Sequence, residues 1–168
     1  MRNNLKDILK GKVVIVGMGT PLRADDAVGL FFIEALQRLK PALPSLRRGR
    51  PACTLINAGT TPESYAGKII KENPDTVLLV DAVHLSEAVG EYVILNRKQI
   101  LTTGFTTHDL SPKLFLDYLA AQTKAVVYLL AIQPGRLTLG EEMSQTVKAT
   151  VDKLADRVGQ ALEVAGRE

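Results

Sequence analysis

Three short runs in this chain are apolar at nearly every position: Val13–Gly17 (VVIVG), Thr76–Val80 (TVLLV) and Val126–Ile132 (VVYLLAI). A strand with one wet face alternates apolar and polar side chains. A run with no alternation, cut off by Gly, Asp or Gln-Pro, reads as a strand buried on both faces. Between the runs the period changes from strand-like to helical. Val28, Phe31, Phe32, Ala35, Leu36 and Leu39 recur at helical spacing and predict a helix that ends near Pro41. Pro62–Glu72 and Ser111–Ala121 predict two more helices, the latter opening with Ser-Pro. Val147, Val151, Leu154, Val158 and Leu162 line one stripe of a final helix. Thr54–Asn57 adds a strand, and Glu91–Leu95 comes after so short a connection that it reads as an antiparallel or edge strand. The fold class expected is α/β: a three-layer α/β/α sandwich with a mostly parallel five-stranded central sheet and one antiparallel strand. One domain over residues 1–168 is expected, since the chain shows no repeat, low-complexity segment or linker.

In such sheets ligands gather beyond the carboxyl ends of the strands, so the residues just after each run are the candidates for chemistry. Gly17-Met18-Gly19-Thr20-Pro21-Leu22 closes the first run. It fails as a dinucleotide fingerprint: Leu22 stands at the third glycine, Asp25 and Asp26 would oppose a pyrophosphate, and Gln37 stands where a ribose-binding acid belongs. The paired Asp25-Asp26 either caps the helix or carries chemistry; one carboxylate suffices for a cap, so the second invites another role. Asp81 comes directly after Val77–Val80, where a carboxylate costs desolvation unless partnered. The first and third strands of a doubly wound sheet are neighbours, so Asp26 and Asp81 can converge. Two histidines compete to join them: His84, three residues after Asp81, and His108 in the polar loop before the Ser-Pro helix. Two carboxylates and one imidazole suit a borderline divalent metal with positions left open.

Other chemistries find no support. There is no G-x-S-x-G elbow and no H-E-x-x-H helix. The single cysteine, Cys53, excludes an internal disulfide and paired-Cys zinc sites and reads as a buried small side chain. The net charge of +3 is concentrated in Arg38, Lys40, Arg47, Arg48 and Arg50, a Pro-rich stretch that reads as a solvated loop without a nucleic-acid signature. No signal peptide or run of 18 apolar residues is present, so a cytoplasmic protein without membrane insertion is expected.

The segment Gly17–Gly29 (GMGTPLRADDAVG) resembles the opening motif of the [NiFe]-hydrogenase maturation endopeptidases. Asn57-Ala58-Gly59-Thr60-Thr61-Pro62-Glu63, Leu79-Val80-Asp81-Ala82, Thr106-Thr107-His108 and Ile132-Gln133-Pro134 resemble further family stretches, in order, over nearly the whole chain. The subgroup acting on hydrogenase 3 is the most similar. The resemblance implies a nickel-recognising site of Asp26, Asp81 and His108, with Asp26 as candidate general base and His84 in second place. It further implies substrate contacts at Gly19, Asn57, Gly59 and Thr107. Nickel is expected to arrive in the substrate, the precursor of a hydrogenase large subunit whose C-terminal extension is removed, and no permanently bound metal is expected. Thr20 and Asn57 depart from the family's usual Asn and Asp. Two other functions use the same residues: a non-enzymatic nickel-binding or chaperone module, and a small-molecule metallohydrolase.

Overall fold

A computed structural model describes residues 3–43, 53–102 and 111–165. Five strands, β1 (Val13–Met18), β2 (Cys53–Gly59), β3 (Thr76–Ala82), β4 (Tyr92–Asn96) and β5 (Val126–Ile132), form one sheet in the order β2-β1-β3-β5-β4. Strands β2, β1, β3 and β5 pair in parallel, and β4 closes the sheet antiparallel to β5. The antiparallel or edge character expected for 91–95 is thus met in both respects.

The apolar runs are explained by what covers them. Val13, Ile15, Leu78, Val80, Leu130 and Ile132 face a core built with α1 (Leu5–Ile8), α2 (Val28–Leu39) and α6 (Gln145–Ala165). Their alternates Val14, Val16, Val77, Leu79, Leu129 and Ala131 face a second core with α3 (Ala66–Glu72) and α5 (Ser111–Gln122). Each strand is therefore apolar on both faces because helices lie on both. The helix α6 buries the stripe read from sequence, Val147, Val151, Leu154, Val158 and Leu162, all essentially inaccessible.

Short elements depart from the sequence expectation. Lys40–Ala42, at the expected helix end, form a 3-10 turn, and the helix expected over Pro62–Glu72 is 3-10 over Pro62–Tyr65 and α-helical only over Ala66–Glu72. The short helix α1 is capped by the Asn4 side chain and packs Leu5 and Ile8 into the first core. A helix α4 (Arg97–Thr102) begins directly after β4. Asn96 and Gln99 exchange hydrogen bonds, Gln99 N–H to Asn96 Oδ1 and Asn96 N–H to Gln99 Oε1, both at 2.9 Å, which is the reciprocal capping box of a helix start. Lastly, Ala24–Ala27 form a 3-10 turn ahead of α2.

No described helix is long and apolar enough to cross a membrane.

Candidate active site

The glycines of the opening motif act as packing residues. A Cβ on Gly29 would collide with the backbone of Met18 and with the Val80 carbonyl, and one on Gly17 would collide with the Gly29 carbonyl. The start of α2 thereby lies directly on the carboxyl ends of β1 and β3. Gly19 sits at φ +130, and a Cβ there would overlap the Asp26 carbonyl. That carbonyl accepts a hydrogen bond from Thr20 N–H at 3.2 Å, while Gly19 N–H donates to the Gly59 carbonyl at 2.9 Å. The loops after β1 and β2 and the turn carrying Asp26 are therefore laced together through backbone alone. Thr20, the departure from the usual Asn, accepts Leu22 N–H on its Oγ1 at 3.3 Å. Asn57 likewise uses its Oδ1 locally, accepting Gly59 N–H at 3.3 Å, and its side chain is exposed at the same sheet edge.

The two adjacent aspartates have different environments. Asp25 is completely buried. Its carboxylate accepts Gly135 N–H (2.7 Å), Arg136 N–H (3.0 Å), Ser144 N–H (2.6 Å) and the Ser144 hydroxyl (2.6 Å). Burial pushes its pKa up, but the Ser144 hydroxyl and the three backbone N–H groups together outweigh burial and hold the carboxyl below its ordinary value. The cap considered for the pair thus exists, but it caps the loop after β5 and not α2, whose N-cap is Ala27 without a side-chain bond. Asp26 is half-buried on the neighbouring face of the turn.

Asp81 pairs in register with Ala131 near the end of the β3–β5 ladder and is half-buried; its Oδ1 accepts Ala82 N–H at 2.9 Å. The turn bearing Asp26 packs against β3, and Gly29, three residues beyond Asp26, touches the carbonyl of Val80, the residue before Asp81. The elements that carry Asp26 and Asp81 are thus in contact. His108 and Thr107 lie outside the described residues. Among the described residues no three His, Cys, Asp or Glu side chains form a metal-binding group.

His84 has another engagement. It is exposed, and its Nδ1 lies 3.3 Å from Gln133 Nε2. Gln133 itself is buried and organises the loop beyond Asp81: its Oε1 accepts Leu85 N–H at 2.6 Å and Glu87 N–H at 3.4 Å, and its Nε2 donates to the Pro134 carbonyl at 3.0 Å. In sequence the Gln-Pro pair carries no assigned task; the signal that could have found it is a polar residue placed where a buried strand ends. Cys53 is buried at the first position of β2, with its thiol pushed up to about 12 by desolvation, which disfavours a thiolate there.

Comparison with known proteins decides the family. The HycI hydrogenase maturation protease family model matches residues 36–161. The chain belongs to the hydrogenase maturation proteases. A relative in Methanocaldococcus jannaschii, provisionally named a hydrogenase maturation protease, is 30% identical over 97% of this chain and 96% of its own length. The crystal structure of the [NiFe] hydrogenase maturation protease HycI from Thermococcus kodakarensis KOD1 superposes with a TM-score of 0.82 at 34% identity, covering 95% of this chain and 98% of that one. The solution structure of the endopeptidase HycI from Escherichia coli shares the fold, with a TM-score of 0.73 at 24% identity over 89% of this chain and 90% of that one. This maturation protease is accordingly a peptidase, with the mixed α/β sheet of its relatives.

Proposed function

We propose that this maturation protease removes the C-terminal extension of a [NiFe]-hydrogenase large-subunit precursor after nickel has been inserted. The observation that carries the proposal is the crossing of the Asp26 turn over the end of β3: Gly29 on the Val80 carbonyl brings two carboxylate-bearing segments to one sheet edge. Carboxylate oxygens, joined by the His108 imidazole, are a donor set suited to a borderline divalent ion such as nickel. Nickel is cargo of the substrate in this reading. Asp26, Asp81 and His108 complete its coordination from the protease side, and the scissile peptide is thereby held beside the Asp26 carboxylate. Hydrolysis consumes one water: Asp26 takes a proton from it as its oxygen attacks the scissile carbonyl, and returns that proton to the leaving amine as the C–N bond breaks. Holding reactants together supplies much of the acceleration in such a reaction.

Gly19 just after β1, Asn57 and Gly59 at the end of β2, and Thr107 are the residues that the precursor would meet. Gly19 and Gly59 are tied by the backbone bond between them, and Asn57 offers an amide where relatives commonly carry a carboxylate. The test is a processing assay with purified components. Wild-type protein should convert nickel-loaded precursor to one shortened species, and Asp26→Ala, Asp81→Ala and His108→Ala should each abolish conversion. His84→Ala should lower it only mildly. Folded variants that all retain conversion would refute the site, and a wild type that binds precursor without shortening it would favour a nickel-handling chaperone.

A further inference from the structure

Beside the Asp26 turn runs a groove of about 760 Å³, within the size range of formed ligand sites. Its floor includes Ala24 and Ala27, the residues flanking Asp25-Asp26, and its apolar walls include Leu22, Phe31, Leu139 and Met143. Ala24 and Ala27 line the groove, the Asp25 carboxylate between them turns to the 135–144 loop, and Asp26 is half-buried beside them. The groove and the candidate active site thus border the same four-residue turn.

The groove is built and not a gap between loose loops. Asp25 fastens the 135–144 loop to the turn by four hydrogen bonds. Arg23 Nε donates to the Leu137 carbonyl at 3.3 Å, Gly140 N–H donates to the Leu22 carbonyl at 2.9 Å, and Asp25 N–H donates to the Arg136 carbonyl at 3.1 Å. Yet Leu22 is 64% and Leu139 70% exposed. Two large apolar side chains held out to water on pinned backbone mark an interaction surface.

We infer that this groove seats an apolar stretch of the precursor's C-terminal extension, in extended form, next to the bond to be cleaved. The inference rests on the maturation role proposed above. Continuity selects this occupant: a chain whose scissile bond lies at Asp26 reaches Ala24 and Ala27 within one or two residues, at roughly 3.3–3.6 Å per extended residue. A trough of this volume accepts a peptide segment and not the folded body of the precursor.

Leu22→Ser and Leu139→Ser test it, since both side chains are mostly exposed and the variants should fold with unchanged Tm. Each should raise KM for nickel-loaded precursor about tenfold or more, the share of affinity one buried leucine supplies. Replacing the apolar residues of the extension by Ser should raise the wild-type KM as well, and the two losses should not add, because they remove the same contact. Additive losses, or an unchanged KM in both leucine variants, would overturn the groove assignment. A synthetic peptide of the extension, monitored by fluorescence anisotropy, should bind wild type and bind both variants more weakly. That arm needs no cleavage, so failure of the proposed processing and failure of the groove remain distinguishable. A concentration-dependent dimer that either leucine variant dissociates would overturn the inference in favour of a second copy of this chain as occupant.

Discussion

Asp25 and Asp26 are adjacent in sequence and differ in everything that decides a carboxylate's role. Asp25 spends both oxygens on donors 110 to 119 residues away, and no local pattern announces a partner that distant. From sequence the pair reads only as one cap plus one spare, and the choice of Asp26 as the spare comes from family resemblance. The division of labour makes a paired prediction. Asp25→Ala leaves four partly buried donors without their acceptor and should cost about 2–4 kcal/mol, lowering Tm by roughly 5–15 °C. Asp26→Ala should leave Tm within a few degrees while abolishing processing. Calorimetry on both variants checks it; equal Tm losses would put Asp26 into the structural framework as well. Asp81 is legible for a simpler reason, since a carboxylate closing a fully apolar strand has no structural use unless something meets it.

At the scale of elements, β1, β3 and β5 are the most readable strands because each is buried on two faces and so carries a nearly unbroken apolar run, whereas β2 and β4 at the sheet edges are partly exposed. What escapes is short. Four-residue α1 offers no periodicity, and α4 succeeds β4 with no intervening turn residues. Its start is nonetheless written in Asn96-Arg97-Lys98-Gln99, the capping-box spacing whose reciprocal bonds the structure contains. The 3-10 turn at 24–27 has no sequence mark that separates it from a first turn of α2, and Ala24 there adopts φ +47, a left-handed conformation costing about 1–2 kcal/mol in an L-residue. The Asp25 bonds just beyond it offset that strain. The glycines of the opening motif are explained by close approach of helix to strand, which yields a contrast. Gly29→Ala should destabilise by about 3 kcal/mol or more, because the new methyl meets backbone on two strands. Gly67→Ala, inside α3 with open space around it, should be neutral or stabilise by up to about 1 kcal/mol. Urea midpoints of the two variants check this, and a mild Gly29→Ala would mean that α2 does not rest on β1 and β3 as described.

For the whole molecule, the two cores back to back hold one sheet whose carboxyl edge carries the proposed site and whose amino edge carries a separate electrostatic clasp. Asp75, before β3, accepts Lys12 N–H at 2.8 Å and pairs with Lys124 at 3.0 Å. The Lys12 backbone bond, and after it Lys124, lowers its pKa. A carboxylate with a depressed folded pKa adds stability that is fully present above its unfolded value, about 3.9, and is lost as pH falls through the folded one. Asp75→Asn should therefore lower Tm at pH 7, and the gap to wild type should close below about pH 4. A gap that persists under more acidic conditions would assign the loss to shape and not to charge. Activity at neutral pH should be untouched, because this clasp lies at the opposite end of the strands from Asp26 and Asp81.

The central proposal concerns recognition more than bond breaking: with Cys53 buried as a thiol and no serine elbow in the sequence, the selectivity we propose comes from a feature that exists only in the nickel-loaded precursor. In that reading an unloaded precursor lacks the cation that Asp26 and Asp81 would help to coordinate, so its docking is the weaker of the two. The deciding measurement is cleavage of apo and nickel-loaded large subunit side by side under identical conditions, with serine- and cysteine-protease inhibitors present. Nickel-dependent recognition predicts one shortened species from the loaded precursor, none from the apo form, and no effect of the inhibitors. Equal cleavage of the two forms would contradict it.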